Sequence, residues 1–252
     1  MPKVMIFSPE VDEYRQRIES AHLRGLELTT DSNVCDIALG EPKPIRDVLA
    51  HLPRLKWVQS VYAGVEPLVD PTQRRDYILT NARDVFGTFM SEYVFGYILF
   101  HEKKILERMR AQQARQWQPA ESGILPGKTI GLLGVGSIGA HLASTAKHFR
   151  MTVRGYTRES EASTQVDKYY HGEDLLEFAE GLDYLVSVLP RTRDTNRIVN
   201  VEVLNALQPH ALFINVGRGN AVDGSALIEA LKTGRLAAAV LDVFDKEPLP
   251  ED

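Results

Sequence analysis

Short apolar runs alternate with amphipathic stretches along most of the chain. KVMIF (3–7), VCDIAL (34–39) and LKWVQS (55–60) read as buried strands separated by segments of crossover length. From residue 128 the habit returns in KTIGLLG (128–134), MTVRGY (151–156), DYLVSVL (183–189), ALFINV (211–216) and LAAAVLDV (236–243). Nearly continuous apolar strands that alternate with helices predict parallel sheets covered on both faces. The expected class is therefore α/β with two domains, 1–86 and 87–252. The five strand candidates after residue 128 form one doubly wound sheet, and those before residue 81 form a smaller one. Between them, MSEYVFGYILFHEKKILERMRAQQARQW (90–117) has apolar positions at helical spacing and a strongly charged latter part. It predicts one long helix opening at Ser91–Glu92, with the crossover just before it, near Gly87.

The second apolar block holds the first candidate chemistry, GLLGVGSIGAHL (131–142). A bare G-x-G-x-x-G is a weak signal, but here a predicted strand precedes it and a predicted helix with Ile138, Leu142 and Phe149 follows. In that setting Gly134 permits the tight turn, Gly136 lets a pyrophosphate approach the backbone, and Gly139 lets the helix pack on the strand. The helix opens at Ser137 and Ile138, whose unpaired N–H groups and positive dipole suit phosphate. The alternative is an ordinary tight turn. At the end of the next strand an NAD site would carry Asp or Glu for the ribose hydroxyls, but this chain has Thr157 and Arg158. A hydroxyl and a guanidinium can hold a 2′-phosphate that a carboxylate would repel, which favours NADP over NAD. The competing reading is a loop arginine that touches nothing.

Charge and cysteine content narrow the partners. With 29 basic against 34 acidic side chains and a net charge of −5, neither nucleic acid nor an anionic membrane is an expected partner. One cysteine, Cys35, rules out an internal disulfide framework and a multi-cysteine zinc site, and no metal is expected. Its apolar run, VCDIAL, predicts a buried structural thiol. No apolar stretch has membrane-spanning length, and MPKVMIFSPE runs straight into VDEYRQR as a strand feeding a helix. A soluble cytoplasmic protein is the expectation.

The most specific segment is FINVGRGNAVDGSALIEALKTGRLAAAVLDVFDKEPLPED (213–252). With N-V-G-R-G after a strand and then L-D-V-F and K-E-P-L-P, the chain resembles the D-isomer-specific 2-hydroxyacid dehydrogenase family, which includes glyoxylate and hydroxypyruvate reductases. The likeness extends to the glycine loop, to VLPRTRDTNRIVN and to WVQSVYAGVEPL, covering nearly the whole chain. It implies a flavodoxin-like substrate domain followed by a Rossmann cofactor domain, and an NAD(P)-dependent exchange between a 2-keto acid and a D-2-hydroxy acid. It places Arg218 at the substrate arginine and Glu247 at the glutamate that partners a catalytic histidine. It puts Asp242 near the nicotinamide carboxamide, and Pro190, Thr195 and Val216 beside the cofactor. Ala63 and Gly64 fall in the loop whose N–H groups hold the substrate carboxylate. The long helix implies a homodimer.

Two features depart from the family pattern. The family's acid–base histidine lies beyond the K-E-P segment, and none of the seven histidines here occupies an equivalent position, so a fragment of a longer enzyme is expected. Glu66 and Tyr93 also differ, which bears on substrate choice. The alternative function on this fold is a non-catalytic dinucleotide-binding sensor or scaffold.

Overall fold

A computed structural model of the chain describes residues 1–119 and 121–249. They form two compact units that divide between Arg83 and Asp84, three residues ahead of the expected boundary at 86.

The first unit runs β1 (Lys3–Phe7), α1 (Val11–Ser20), β2 (Glu27–Leu28), β3 (Ile37–Gly40), α2 (Pro42–Val48), β4 (Trp57–Ser60) and β5 (Ile78–Thr80). All strands are parallel in the order β2-β1-β3-β4-β5, the flavodoxin-like arrangement. Only the second half of VCDIAL becomes strand. The Asp31 side chain accepts the Asn33 N–H and starts a short 3-10 turn over Ser32–Val34, which delays β3 to Ile37. Cys35 is fully buried, as its apolar run predicts, and packs with Ala38, Ile45, Leu52 and Val58.

The second unit holds α3 (Gly87–Glu102), α4 (Ile105–Gln113), β6 (Thr129–Leu133), α5 (Ser137–His148), β7 (Thr152–Tyr156), β8 (Lys168–Tyr170), α6 (Leu175–Ala179), β9 (Tyr184–Ser187), α7 (Val201–Ala206), β10 (Leu212–Asn215), α8 (Gly224–Lys232) and β11 (Ala238–Leu241). Its parallel sheet has the order β11-β10-β9-β6-β7-β8. The chain winds outward from β6 through β7 to β8, then returns to β9 on the other side of β6. The sheet therefore reverses direction at the β6–β9 boundary, where ligands of such sheets bind outside the carboxyl ends.

The single long helix expected over 90–117 is two helices. It begins at Gly87, where a Cβ would strike the His141 ring at 2.2 Å, so α3 lies close against α5. Ser91 is no cap: it sits on the buried face with Val94, Phe95 and Ile98. The helix stops at Lys103, and Lys104 takes a left-handed conformation with φ 49° before α4 starts. The Arg108 side chain donates to the Lys103 carbonyl freed by the break, at 3.0 Å. The HEKK run offers no apolar stripe that would hold one straight helix through this point.

Each sheet is tied at its amino end by a buried carboxylate. In the second unit the Tyr184 hydroxyl, almost fully buried, donates to Glu102, and Lys128 bridges Glu102 and Asp183 at 3.3 and 3.6 Å. Asp183 also accepts the Thr129 N–H at 2.8 Å and pairs with His210 at 2.7 Å. In the first unit the Asp36 side chain is 3% exposed and meets Arg54 at 3.3 Å and Lys56 at 3.1 Å. It also accepts the Lys3 N–H at 3.1 Å.

The Lys3 N–H, then the Lys56 ammonium, hold the Asp36 carboxyl below its ordinary pKa. A depressed folded-state pKa contributes stability above the unfolded value of about 3.9, and that stability is lost as pH falls through the folded value. Asp36→Asn is therefore expected to lower the melting temperature at neutral pH and to differ less from the parent at about pH 3. Melting curves at both pH values check this, and an equal loss at each would count against an ionic role.

Candidate dinucleotide site

Geometry divides the three glycines of the loop into three separate tasks. Gly134 follows β6 with φ +95°, a left-handed conformation that side chains resist. Gly139 lies in the first turn of α5, where a Cβ would stand 2.3 Å from the Gly134 carbonyl oxygen. The helix is thus seated directly on the turn that precedes it. Gly136, between them, faces open space: nothing lies within 4 Å of a Cβ placed there. A phosphate can occupy that space against bare backbone. The first-turn N–H groups of α5, beginning at Ser137 and Ile138, have no intrahelical acceptor and carry the positive end of the helix dipole.

A pocket of about 470 Å³ opens beside this turn, bordered by Gly134 and Gly136, Thr157 and Arg158, and Pro190 and Thr195. It lies at the carboxyl ends of β6, β7 and β9, at the reversal point of the sheet. On the β9 side the loop is fixed by paired threonines. The Thr195 hydroxyl donates to the Pro190 carbonyl at 2.7 Å and accepts the Thr192 N–H at 2.9 Å. On the β7 side the Thr157 hydroxyl donates to the Ser160 carbonyl at 2.7 Å, folding the loop back on itself. Arg158 is exposed, and its guanidinium has no hydrogen-bond or ion-pair partner among the described residues.

A second group of predicted residues gathers at the carboxyl end of β10. Val216 is buried and donates its N–H to the Ser187 carbonyl at 3.0 Å. The Asn215 side chain accepts the Gly217 N–H at 3.1 Å and donates to the Arg218 carbonyl at 3.0 Å, so it locks the turn that presents Arg218. That side chain is half-buried, and its Nη1 donates to the Gly217 carbonyl at 2.7 Å. Gly219 admits the next loop: a Cβ there would stand 1.9 Å from the Phe244 carbonyl carbon. Asp242 is placed by its N–H bond to the Asn215 carbonyl at 3.0 Å. Burial, then the nearby Asp242 carboxylate, pushes the pKa of the Tyr93 hydroxyl up. Glu247 is exposed and accepts the Phe244 N–H at 2.8 Å. The final residues of K-E-P-L-P-E-D, 250 to 252, lie outside the described residues. Ala63 and Gly64, in the first unit, follow β4 in a loop whose Ala63 carbonyl accepts from Asn81 at 2.6 Å.

The residues fit a dinucleotide: a bare backbone cradle at a helix N-terminus, with a threonine and an unpartnered cation at the end of the second strand. Among the lining residues that the sequence did not point to are Ser160, Thr192 and Gly172. They come from loops without periodicity, and only the turn-forming composition of RTRDTN hinted at one of them.

The family model for "D-isomer specific 2-hydroxyacid dehydrogenase, NAD binding domain" matches residues 95–252. The chain belongs to that family. It is 32% identical over 245 residues to glyoxylate/hydroxypyruvate reductase A of Serratia proteamaculans, covering 94% of this chain and 77% of that protein. A D-isomer-specific 2-hydroxyacid dehydrogenase family protein from Aeromonas salmonicida superposes with a TM-score of 0.92 at 38% identity, over 100% of this chain and 84% of the other. A family member from Xanthobacter autotrophicus, solved with NADPH and MES, gives 0.90 at 32% identity over 99% and 83%. This 2-hydroxyacid dehydrogenase is therefore an NAD(P)-dependent oxidoreductase that interconverts a 2-keto acid and a 2-hydroxy acid.

Two substitutions separate the tasks of the glycines. Gly136→Ala is expected to leave thermal stability unchanged or raise it slightly, since its φ of −81° suits alanine, yet to weaken dinucleotide binding at least ten-fold. Gly139→Ala is expected to destabilise the fold by about 1–3 kcal/mol through overpacking. Melting curves with cofactor titration check both, and a Gly136→Ala variant with parental affinity would remove the cradle from the binding site.

Proposed function

We propose that the protein is an NADPH-preferring reductase of small 2-keto acids of the glyoxylate and hydroxypyruvate type, acting as a cytoplasmic homodimer. The observation that carries the reading is Arg218, locked by Asn215 at the carboxyl edge of the sheet that also bears the glycine turn. A guanidinium there can bind a carboxylate and polarise the neighbouring carbonyl, the two demands a 2-keto acid makes. The N–H groups of Ala63 and Gly64 take part in holding the carboxylate. Asp242 receives the nicotinamide carboxamide, with Pro190, Thr195 and Val216 beside the ring. Glu247 favours the charged form of a proton-donating imidazole and so raises its pKa. The bound dinucleotide supplies the hydride, and the protein supplies orientation and charge.

NADPH is preferred because the turn after β7 offers Thr157 and Arg158 and places no carboxylate at those positions. The relative from Xanthobacter, crystallised with NADPH, supports the same choice. A second copy of the chain is the partner for the outward face of α3 and α4, which exposes Phe89, Tyr97, Phe100, Leu106 and Met109. Among the described residues no helix is long and apolar enough to cross a membrane. The cytoplasmic assignment rests on a lone buried cysteine, which suits a reducing compartment.

Arg158→Ala should weaken NADPH binding by about 1.5–3 kcal/mol, the range for a charged hydrogen bond, and leave NADH nearly unchanged. Calorimetric titration of both cofactors measures this, and equal losses would sink the assignment. Arg218→Ala should nearly abolish NADPH oxidation in the presence of glyoxylate or hydroxypyruvate without preventing cofactor binding. If the parent protein bound NADPH but reduced no 2-keto acid, a sensor would describe it better. Sedimentation of Phe89→Glu together with Met109→Glu should show monomers where the parent forms dimers; an unchanged mass would place the interface elsewhere.

A further inference from the structure

The loop that carries Thr157 and Arg158 is fastened by one histidine. The His171 Nδ1 lies 3.0 Å from the Thr157 carbonyl oxygen, and its Nε2 lies 2.9 Å from Glu161 Oε1. A carbonyl oxygen and a carboxylate oxygen can only accept, so both ring nitrogens must donate. Only the doubly protonated imidazolium makes both bonds at once; in a neutral ring Nδ1 has the Thr157 hydroxyl, 3.2 Å away, as its other partner. The ring also stacks on Tyr169, with planes 2° apart, and the Tyr169 hydroxyl accepts the Ser163 N–H at 3.0 Å and donates to the Ser163 carbonyl at 3.1 Å. Thus both ends of the loop, Thr157 and Ser163, are held by side chains at the carboxyl end of β8. The neighbouring Gly172 lines the pocket itself, together with Thr157, Arg158 and Ser160.

We propose that His171, clamped between Thr157 and Glu161, is a specificity-determining positioning residue that presents the Thr157–Arg158 turn to the 2′-phosphate of NADPH. The inference rests on the NADPH reading above and adds to it a residue outside the turn. The Thr157 hydroxyl is already oriented toward Ser160 by its own bond, and the imidazolium fixes the carbonyl of the same residue. Arg158 then departs from an anchored backbone, so less of its freedom is lost when it closes on a phosphate. The groups that set the ring's charge are Glu161 from the loop and Asp174 from the turn after β8. Glu161 first, then the Thr157 carbonyl and Asp174, raise its pKa above that of a free imidazole. As pH rises through that pKa the imidazole loses one donor, so the bond to the Thr157 carbonyl or to Glu161 breaks and the turn loses one of its fastenings. Preference for the phosphorylated cofactor should fall in step.

Affinities of NADPH and NADH, read by nicotinamide fluorescence from about pH 6 to about pH 9, test the proposal without any turnover. The parent protein should prefer NADPH, and the ratio of the two affinities should fall across the alkaline half of the range while NADH binding stays level. His171→Gln should reduce NADPH affinity about ten-fold, leave NADH unchanged and flatten the ratio against pH. NADH binding reports that the variant is folded, and any slope remaining near pH 6 belongs to the phosphate's own second ionisation. Glu161→Gln, which removes the anionic partner of Nε2, should move the fall to lower pH. A parent that prefers NADPH beside a His171→Gln variant with the same ratio and the same slope would overturn this proposal alone. Equal loss of both cofactors in that variant would reduce His171 to a structural residue and overturn it too. A parent that prefers NADH would overturn the cofactor reading and this inference together.

Discussion

The seat of α5 on the turn after β6 is the constraint from which the rest of the site follows. No side chain fits at Gly139, because the Gly134 carbonyl oxygen already occupies that position. The approach fixes where the helix begins, and so where its unpaired N–H groups point. Gly136 then stands as the one of the three glycines with open space in front of it. Everything else in the pocket is arranged around that point: the threonine-braced loop after β9 on one side and the Thr157 loop on the other. The parallel sheet supplies this arrangement because its strands all end their carbonyl edges on the same side.

Much of this was readable in the amino-acid order. The buried central strands of both sheets announced themselves as apolar runs, and the glycine spacing, between such a run and an amphipathic helix, marked the turn. Of the four edge strands, only β11 announced itself. β2 has two residues and β5 three, too short to show a period, and Ile78 on β5 is exposed. β8, KYY, hid inside a polar stretch and is recognisable only through the residues it pairs with on β7. The helix break at Lys104 was equally hidden. A lysine in a left-handed conformation carries no motif of its own, and only the loss of an apolar stripe through HEKK marks the place.

The site residues show a similar division. Arg218, Asp242 and the glycines stand on or next to regular elements, so motif and spacing place them. His171 is fourteen residues from Thr157 in sequence and reaches it only because β8 pairs alongside β7. Long-range partners of that kind leave no trace in spacing. The residues expected to touch ligand were therefore legible, while the residues that hold them in place were not.

The ionic cluster at the amino end of the second sheet has a consequence for how the protein can change. Glu102, Lys128, Asp183 and Tyr184 tie the end of α3 to the starts of β6 and β9, at the edge remote from the glycine turn. Cohesion is concentrated at one edge and chemistry at the other. Loops at the chemical edge can then be exchanged or lengthened with little strain on the frame, so new substrate preferences are accessible by drift in those loops. The anchored edge should tolerate fewer substitutions, since loss of Lys128 strips Glu102 and Asp183 of their shared cation.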